Sequence, residues 1–341
     1  MTDPVRVMIV DDSAAMRATL RRLLSSDPEI EVVGMAPETR TARSMIKELN
    51  PDVLTLDIEM PGMDGLSFLE KIMTLRPMPV IMCSTQTARG AKATIEALRL
   101  GAVDCFAKPS GDPAEIASEG ERLRRMVKAA GRSALLRPVV SATSVIKPQG
   151  QTQRDVVIAI GASTGGVEAL FRLLRVFPAD CPPVLVVQHM PLTFTGGFAE
   201  RLSQECQAHV VEAQQGMALK RGTIFIAPGT RTHMELAGGL KGRIRLRDGD
   251  LVSGHRPSVD ILFHSVAKLG ANGIGVILTG MGRDGAEGLK AMRDAGARTF
   301  GQNEASCVVY GMPKAAWELG AVEREMSLFT MPEAILAACR K

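Results

Sequence analysis

The sequence has no closely spaced cysteines. Its 341 residues include six cysteines, and none of them forms a C-x-x-C pair with another. This spacing indicates neither a zinc site nor a compact disulfide framework, and it fits a reducing, cytoplasmic location. The six residues are Cys83, Cys105, Cys181, Cys206, Cys307 and Cys339.

Long apolar runs are also missing. The N-terminus has no basic stretch followed by a long apolar one, so the sequence predicts no signal peptide. The longest stretch without Asp, Glu, Lys or Arg covers residues 181–199 and contains three prolines. Such a stretch is too polar to span a bilayer. We therefore expect a protein that is not inserted in a membrane.

The chain lacks a strong excess of charge of one sign. A formal net charge of +4 is small for this length and predicts no nucleic-acid partner. Residues 121–154 do hold eight Lys or Arg against the single acid Glu121. We interpret this segment as a solvated helix end followed by a tether. The alternative is a basic contact for an acidic receptor or lipid surface.

Apolar runs alternate with amphipathic segments in two parts of the chain. This βαβα pattern is typical of a parallel sheet that is covered by helices on both faces. The periodicity fades between the two parts, where Ser, Thr, Gln, Pro and Gly accumulate. The sequence therefore predicts an α/β protein with two doubly wound parallel-sheet domains. These domains cover residues 1–131 and 155–341, and residues 132–154 form the linker.

The pattern also predicts individual elements. In the first domain the predicted strands are Val5–Val10, Ile30–Met35, Val53–Leu56, Val80–Cys83 and Val103–Phe106, and the predicted helices include Ser13–Ser26 and Leu66–Arg76. In the second domain the predicted strands are Val156–Ile160, Val184–Val187, Ile224–Ile226 and Ile274–Leu278, and the predicted helices are Phe198–Cys206, Ser258–Leu269 and Ala286–Ala295. A small antiparallel hairpin is expected at Met234–Leu246, with two glycines in its turn.

Three aspartates follow strands of the first domain. Asp11 and Asp12 follow the first strand and Asp57 follows the third, so all three should meet at the carboxyl edge of a parallel sheet. Crowded carboxylates repel one another unless a cation lies between them, and hard oxygen ligands suit Mg²⁺. The sequence therefore predicts a magnesium site. Ser84 and Lys108 follow the fourth and fifth strands, where they could hold a phosphoryl group on Asp57.

A weaker alternative treats these acids as helix caps, but it leaves Ser84 and Lys108 unexplained. The whole set resembles the receiver domain of two-component response regulators, a flavodoxin-like fold. The segments that carry the resemblance are Val10–Ser13, Asp57–Gly65, Ser84 and Lys108-Pro109.

The resemblance implies a role for each residue of this set. Asp57 would accept phosphate from a histidine kinase. The Mg²⁺ ligands would be Asp11, Asp12, Asp57 and the carbonyl of Glu59. Lys108 and Ser84 would contact the phosphoryl oxygens, and Phe106 would be the switch aromatic.

The second domain begins with a strand that enters the glycine-rich loop 161–166. Residues 161–165 match the G-x-S-x-G pattern, in which a tight strand-to-helix turn exposes the serine, here Ser163. A turn of this kind can equally bind a phosphate on backbone N–H groups at the helix N-terminus. The catalytic interpretation requires a base and a group that orients the base, because a free serine is a weak nucleophile.

His189 and Asp284 are the best candidates for these two roles. His189 follows the strand Val184–Val187 and Asp284 follows the strand Ile274–Leu278, so both should reach the same sheet edge as Ser163. The rival histidines are His209, His233, His255 and His264, of which His209 is expected to begin a strand at the surface. Asp260 lies in a predicted helix and is the weaker acid.

Six motifs of the second domain resemble the chemotaxis protein-glutamate methylesterase family. They lie at 161–166, 188–191, 226–229, 255–260, 278–285 and 302–307. The order Ser, His, Asp differs from that of α/β-hydrolases, so the resemblance implies a Rossmann-like methylesterase domain instead. It assigns Ser163 as nucleophile, His189 as base, Asp284 as orienting acid, the Met281 N–H as oxyanion donor and Thr164 as a supporting residue.

This resemblance implies a phosphorylation-activated serine hydrolase. It would remove methyl groups from glutamates of chemoreceptors, release methanol, and deamidate certain receptor glutamines, and the ester step would use no metal. Two rival functions would require other features. A DNA-binding output domain would need a short helix-turn-helix unit with a basic helix, which the sequence lacks. A metabolic serine hydrolase under phosphate control would prefer small esters to methylated receptors.

Overall fold

The computed structural model describes residues 3–60, 64–84, 88–108, 113–132 and 154–340. The chain divides into two compact units, Met1–Pro138 and Val139–Lys341. Almost all of the predicted linker, 132–154, lies outside the described residues, so its limits stay a prediction. Among the described residues, no helix combines the length and the apolar character that crossing a membrane requires.

The first unit is a five-stranded parallel sheet with helices between its strands. Its elements are β1 (Val5–Val10), α1 (Ala14–Leu24), β2 (Ile30–Ala36), α2 (Thr39–Leu49), β3 (Val53–Asp57), α3 (Gly65–Leu75), β4 (Val80–Ser84), α4 (Ala88–Arg99), β5 (Asp104–Ala107) and α5 (Pro113–Gly131). The strand order is β2-β1-β3-β4-β5, and every pairing is parallel. This is the doubly wound order of flavodoxin-like folds and confirms the predicted fold.

Local chemistry explains where the first helices begin. Ser13 precedes α1, and its hydroxyl accepts a hydrogen bond from the Met16 N–H at 3.3 Å. Asp64 precedes α3, and its carboxylate accepts from the Ser67 N–H at 2.7 Å. Both caps satisfy backbone donors that a helix start leaves without a partner. The five predicted strands are confirmed, each within about one residue.

The second unit contains a seven-stranded parallel sheet and a separate two-stranded one. Its elements are β6 (Val157–Ala162), α6 (Gly166–Leu174), β7 (Val184–Gln188), α7 (Leu192–Glu205), β8 (His209–Glu212), β9 (Thr223–Ile226), β10 (Thr232–Ala237), β11 (Arg243–Asp248), α8 (Val259–Ala267), β12 (Gly273–Ile277), α9 (Ala286–Asp294), β13 (Arg298–Gln302), α10 (Met312–Glu318), β14 (Arg324–Met326) and α11 (Met331–Ala338). The large sheet has the order β14-β13-β12-β6-β7-β9-β8, and β10 pairs with β11 in antiparallel fashion. The predicted hairpin is therefore confirmed.

Helix α7 begins six residues before the predicted start at Phe198. The adjacent Gly196 and Gly197 interrupt the sequence pattern, since each glycine costs about 1 kcal/mol in a helix interior. Burial of Phe194, Phe198 and Leu202, spaced four residues apart, keeps the helix continuous through the glycines. Tertiary packing thus overrides the local preference.

The strand order brings three strand ends together. Strand β6 lies between β12 and β7, and the register pairs Gly161 with both Ile277 and Val187. In a parallel sheet the residues that follow these strands emerge at one carboxyl edge. Ser163, His189 and the loop that leads to Asp284 all start from this edge.

Candidate active site and phosphorylation site

Ser163 lies in a tight turn between β6 and α6. Its N–H donates to the Thr279 carbonyl at 3.0 Å, and its own carbonyl accepts from the Gly166 N–H at 2.7 Å. Gly165 has a φ of +76°, a conformation that residues with a Cβ rarely adopt. The turn therefore requires glycine at this position, and it leaves the Ser163 side chain at the carboxyl edge of the sheet.

The loop after β12 packs closely against Ser163. A Cβ on Gly280 would lie 2.8 Å from the Ser163 Cβ and 2.4 Å from the Met312 Sδ, so only glycine fits there. The Thr279 hydroxyl donates to the Thr164 carbonyl at 3.0 Å and accepts from the Val309 N–H at 2.9 Å. These contacts fix the serine turn to the neighbouring loop.

His189 and Asp284 are in direct contact. The Nε2 atom of His189 lies 2.9 Å from the Oδ2 atom of Asp284, and both side chains are buried. His189 is the first residue after β7, where the Gln188 side chain donates to the carbonyls of Ser163 and His189 at 2.9 and 3.1 Å. This amide therefore links the serine turn to the histidine, and the structure brings together the predicted base and its orienting acid.

The start of α8 binds the Asp284 carboxylate. The Oδ1 atom of Asp284 accepts hydrogen bonds from the Ser258 hydroxyl at 2.8 Å and the Asp260 N–H at 3.1 Å. The Oδ2 atom of Asp284 accepts from the Val259 N–H at 2.8 Å. Burial by itself disfavours the charged form, but the His189 contact and these backbone donors outweigh it and lower the pKa of Asp284 to about 2. Asp284 is therefore a carboxylate at neutral pH.

The histidine tautomer follows from this contact. An ionised carboxylate can only accept a hydrogen bond, so the proton lies on Nε2 of His189 and the lone pair lies on Nδ1. Nδ1 is buried and has no hydrogen-bond partner in the described part of the chain. Nδ1 is thus the ring atom that is open to accept a proton. No hydrogen bond joins Ser163 and His189 among the described residues, which is common before substrate binds.

Three of the four rival histidines differ from His189 in their exposure or in their hydrogen-bond partners. His209 is the exposed first residue of β8, as predicted, and His264 is exposed on α8. The His233 ring is buried, where Nδ1 accepts from the Ser258 N–H at 3.1 Å and Nε2 donates to the Asp250 carbonyl at 2.8 Å. None of these three histidines forms a hydrogen bond with Asp284 in the part of the chain that the structure describes.

His255, the fourth rival, stacks on the His189 ring. The ring centroids lie 3.7 Å apart and the planes differ by 6°. Asp260, the weaker acid candidate, accepts from the Gly288 N–H at 2.7 Å instead of contacting His189. Burial and the nearby Asp284 raise the pKa of Asp260.

The predicted oxyanion donor lies in the loop after β12. The Gly280 N–H donates to the Val309 carbonyl at 3.0 Å, whereas the Met281 N–H has no acceptor among the residues that the structure describes. Thr164 is buried and follows Ser163 directly in the chain. The oxyanion role of Met281 and the supporting role of Thr164 stay predictions.

Three positioning residues were not predicted from the sequence. Gln188 and Thr279 hold the serine turn, and Ser258 holds Asp284. Ser258 also accepts from the Ile261 N–H at 3.4 Å as the cap of α8. A serine before an apolar periodic segment signals such a cap, but its second hydrogen bond to Asp284 depends on tertiary structure.

The three predicted aspartates meet at the carboxyl edge of the first sheet. Single carboxylate oxygens of Asp11, Asp12 and Asp57 all lie within 4.8 Å of one another. Asp11 and Asp57 are buried and Asp12 is exposed. The Lys108 Nζ lies 2.8 Å from an oxygen of Asp11 and 2.8 Å from an oxygen of Asp57. The structure therefore brings these four predicted residues together.

This cluster has the donor set that Mg²⁺ prefers. Burial raises the pKa of Asp57, and the nearby Asp11 carboxylate raises it as well. The contact with Lys108 acts against this shift and lowers the pKa. A divalent cation would relieve this repulsion between carboxylates, and exposed Asp12 gives the cation access from solvent. The residues present thus fit the predicted ion. Glu59 donates its N–H to Asp57 at 3.3 Å, and the role of its carbonyl stays a prediction.

Ser84 lies on β4, which pairs with β3, and Phe106 lies on β5, the next strand in the sheet. Ser84 ends β4 and is buried, and its carbonyl accepts from the Lys108 N–H at 2.9 Å. Phe106 lies in β5 and is fully buried. Ser84 therefore lies at the strand edge near Lys108, as predicted, while the phosphate-sensing role of each residue stays a prediction.

Comparisons with known proteins match both units. The CheB methylesterase family matches residues 158–335, and the response regulator receiver domain family matches residues 7–119. A protein-glutamate methylesterase/protein-glutamine glutaminase 1 from Rhizobium johnstonii is 56% identical over 100% of this chain and 99% of its own. A protein of the same name from Caulobacter vibrioides is 53% identical over 97% of each chain.

A solved structure also resembles the second unit. The crystal structure of the Thermotoga maritima CheB methylesterase catalytic domain matches with a TM-score of 0.52 at 34% identity, covering 53% of this chain and 97% of that domain. Similarity to these relatives thus extends over the whole length of the chain.

Proposed function

Because this chain belongs to the CheB methylesterase family and carries a response regulator receiver domain, we propose that it is a phosphorylation-activated serine hydrolase of chemoreceptors. It demethylates glutamate methyl esters and deamidates certain glutamines. The 2.9 Å contact between His189 and Asp284, beside a serine turn on the adjacent strand, is the observation that carries the proposal.

The reaction begins when Nδ1 of His189 takes the proton of Ser163. The serine oxygen attacks the γ-carbonyl carbon of the ester, and the Met281 N–H donates to the oxyanion that forms. Asp284 stabilises the imidazolium. The imidazolium then returns the proton to the departing methoxide, which leaves as methanol and gives an acyl-enzyme.

Water completes the cycle. His189 takes a proton from the water, whose oxygen attacks the acyl carbon, and the serine oxygen leaves with that proton. The products are a receptor glutamate and free Ser163. A glutamine side chain passes through the same kind of tetrahedral intermediate and releases ammonia in place of methanol.

The first unit is the regulatory site in this proposal. Asp57 accepts the phosphoryl group from a chemotaxis histidine kinase, and Lys108 and Ser84 contact its oxygens. Asp11, Asp12, Asp57 and the Glu59 carbonyl would hold Mg²⁺, which when bound would supply positive charge beside the phosphoryl group. Phe106 is the switch aromatic. The cytoplasmic location and the absence of a nucleic-acid partner stay predictions.

The proposal is tested by methanol release from receptor membranes that carry radiolabelled methyl esters. We expect volatile label to appear with the wild-type protein, and to appear faster when a small phosphodonor is added. The Asp57→Asn variant should keep the unstimulated rate and lose the stimulation, because it lacks the phosphate acceptor.

Two outcomes would contradict this proposal. If Asp57→Asn is stimulated as strongly as the wild type, Asp57 is not the regulatory acceptor. If small methyl esters compete successfully with methylated receptor at similar concentrations, the protein is a general esterase and receptors are not its specific substrate.

Chelation of divalent metal should affect the activity of the first unit and not that of the second. We expect EDTA to abolish phosphorylation of Asp57, measured by mass spectrometry of the intact protein with a small phosphodonor, and added Mg²⁺ to restore it. Asp12→Asn should require a higher Mg²⁺ concentration. Unstimulated methanol release should be unchanged by EDTA, and a comparable loss there would contradict an ester step that depends on Ser163, His189 and Asp284 alone.

A further inference from the structure

A groove opens on the first unit, away from its cluster of aspartates. Its volume is about 740 Å³ and helices α2 and α3 form its walls. The residues that line it are Thr39, Arg40, Arg43, Ile46, Lys47, Phe68, Lys71, Ile72, Leu75 and Arg76. Neither the phosphorylation site nor the ester step uses any of these residues.

The polar lining of this groove carries charge of one sign. Five of its ten residues are Lys or Arg and none is Asp or Glu. Arg40, Arg43 and Lys47 are exposed along α2, and they form no ion pair with any residue that the structure describes. On the α3 side, Arg76 donates to the Asn50 side chain at 2.5 Å. Arg40, Arg43 and Lys47 could therefore pair with an anionic partner without first losing an ion pair to another described residue.

The floor of the groove is apolar. Ile46, Phe68 and Ile72 are buried there, and Leu75 at the end of α3 is 73% exposed, the most exposed large apolar side chain in the described residues. The exposed leucine and the apolar floor beside it offer apolar surface that a partner could cover, and polar groups surround that surface. The groove thus combines an apolar centre with a basic rim.

We propose that this groove binds an acidic amphipathic helix of a partner protein. Apolar side chains at every third or fourth position would occupy the floor, and carboxylates beside them would pair with Arg40, Arg43 and Lys47. Each wall is a helix of 11 residues, about 16 Å long, so about three turns of a partner helix fit along it.

The charges and the shape favour this occupant over others. A second copy that used the same groove would bring two identical basic rims together, which is repulsive. An anionic membrane is a broad surface, and its contacts would be made by projecting side chains instead of a recessed apolar floor. The proposal is independent of the methylesterase activity.

Fluorescence anisotropy with the full-length protein tests the proposal. The probe is a labelled peptide of about four helical turns, with leucines on one face and glutamates beside them. We expect saturable binding that weakens with added salt. Arg40→Glu combined with Arg43→Glu should weaken binding by roughly tenfold or more, and Leu75→Ser should also weaken it.

The matched control reverses two exposed arginines on another helix, Arg21 and Arg22 of α1. This variant should bind the peptide like the wild type. A peptide of the same composition with scattered leucines should bind weakly. Thermal melting and phosphorylation of Asp57 by a small phosphodonor verify that every variant is folded.

Several results would overturn the proposal. These are no saturable binding of the peptide, equal binding of the scattered peptide, or equal weakening by the α1 and α2 reversals. It would also be overturned if phosphatidylglycerol vesicles bound through Arg40 and Arg43 while the peptide did not. A concentration-dependent dimer that Leu75→Ser abolishes, without peptide binding, would likewise assign the groove to a second copy.

Discussion

Ser163→Ala is expected to reduce methanol release from methylated receptor membranes by roughly 10⁴-fold or more. The substitution removes the only atom that forms the acyl bond, while the hydrogen bonds of the turn involve the backbone of residue 163 and are kept. The rate is measured as volatile label per unit time, with and without a small phosphodonor. Both rates should fall to the background of the membranes alone.

The first unit supplies an internal control for this variant. Its aspartate cluster is part of a separate compact unit, so Ser163→Ala should still be phosphorylated on Asp57 at the wild-type rate. Its melting temperature should change little, because the turn is held by backbone hydrogen bonds of residue 163 that the substitution keeps. Substantial methanol release by a folded, phosphorylated variant would show that another group is the nucleophile.

The strand pattern is sufficient to predict that several of these residues meet at a sheet edge. Asp57, Ser163 and His189 each end or directly follow an apolar strand, and strand ends of a parallel sheet meet at one edge whatever the details of packing. This rule requires only the strand positions, which apolar runs reveal well. It explains why the sequence alone predicts both the aspartate cluster and the proximity of His189 and Asp284.

The surroundings of Asp284 could not be predicted in the same way. Its carboxylate oxygens accept hydrogen bonds from Ser258, Val259 and Asp260 at the start of α8. These donors lie 24 to 26 residues earlier in the sequence. Only the packing of α8 against the sheet brings them together. The stacking of His255 on His189 likewise depends on the path of an irregular loop, which carries no periodic signal in the sequence.

Strands β13 and β14 illustrate a different limit. Strand β13 begins with Arg298 and contains Gly301, and β14 has three residues, of which two are charged. Neither segment shows a run of apolar residues or a clear alternation, so neither was predicted. The sheet nevertheless continues through them, because the parallel pairing with β12 and β13 supplies hydrogen bonds that local preference does not reveal.

Asp284→Asn is expected to lower the rate of methanol release by roughly 10⁴-fold, through the tautomer of His189. An amide N–H₂ directed at Nε2 would require Nε2 to accept, which moves the ring proton to Nδ1 and removes the base. In the opposite orientation the tautomer is kept, but the neutral amide no longer stabilises the imidazolium, and its N–H₂ faces the N–H of Asp260, which then loses its acceptor. Each orientation leaves a buried donor without a partner, so we also expect a loss of about 1–3 kcal/mol in unfolding free energy.

Ser258→Ala is the matched control that separates these two effects. It removes one donor to Asp284 and the cap of α8, which costs about 1 kcal/mol, but it keeps the carboxylate and therefore the tautomer. We expect its activity to stay within about tenfold of the wild type. If both variants lost activity equally, the damage would come from the packing around α8 and Asp284 would not act through the tautomer.

The pH dependence of stability provides a further check on Asp284. Its folded pKa of about 2 lies below the ordinary value of 3.8, so its charge stabilises the fold above pH 4 and this contribution is lost as the pH falls toward 2. The difference in denaturation midpoint between wild type and Asp284→Asn should therefore narrow below pH 4. A constant difference from pH 7 to pH 3 would mean that the carboxylate is not preferentially ionised in the folded protein, and the tautomer assigned to His189 would lose its physical basis.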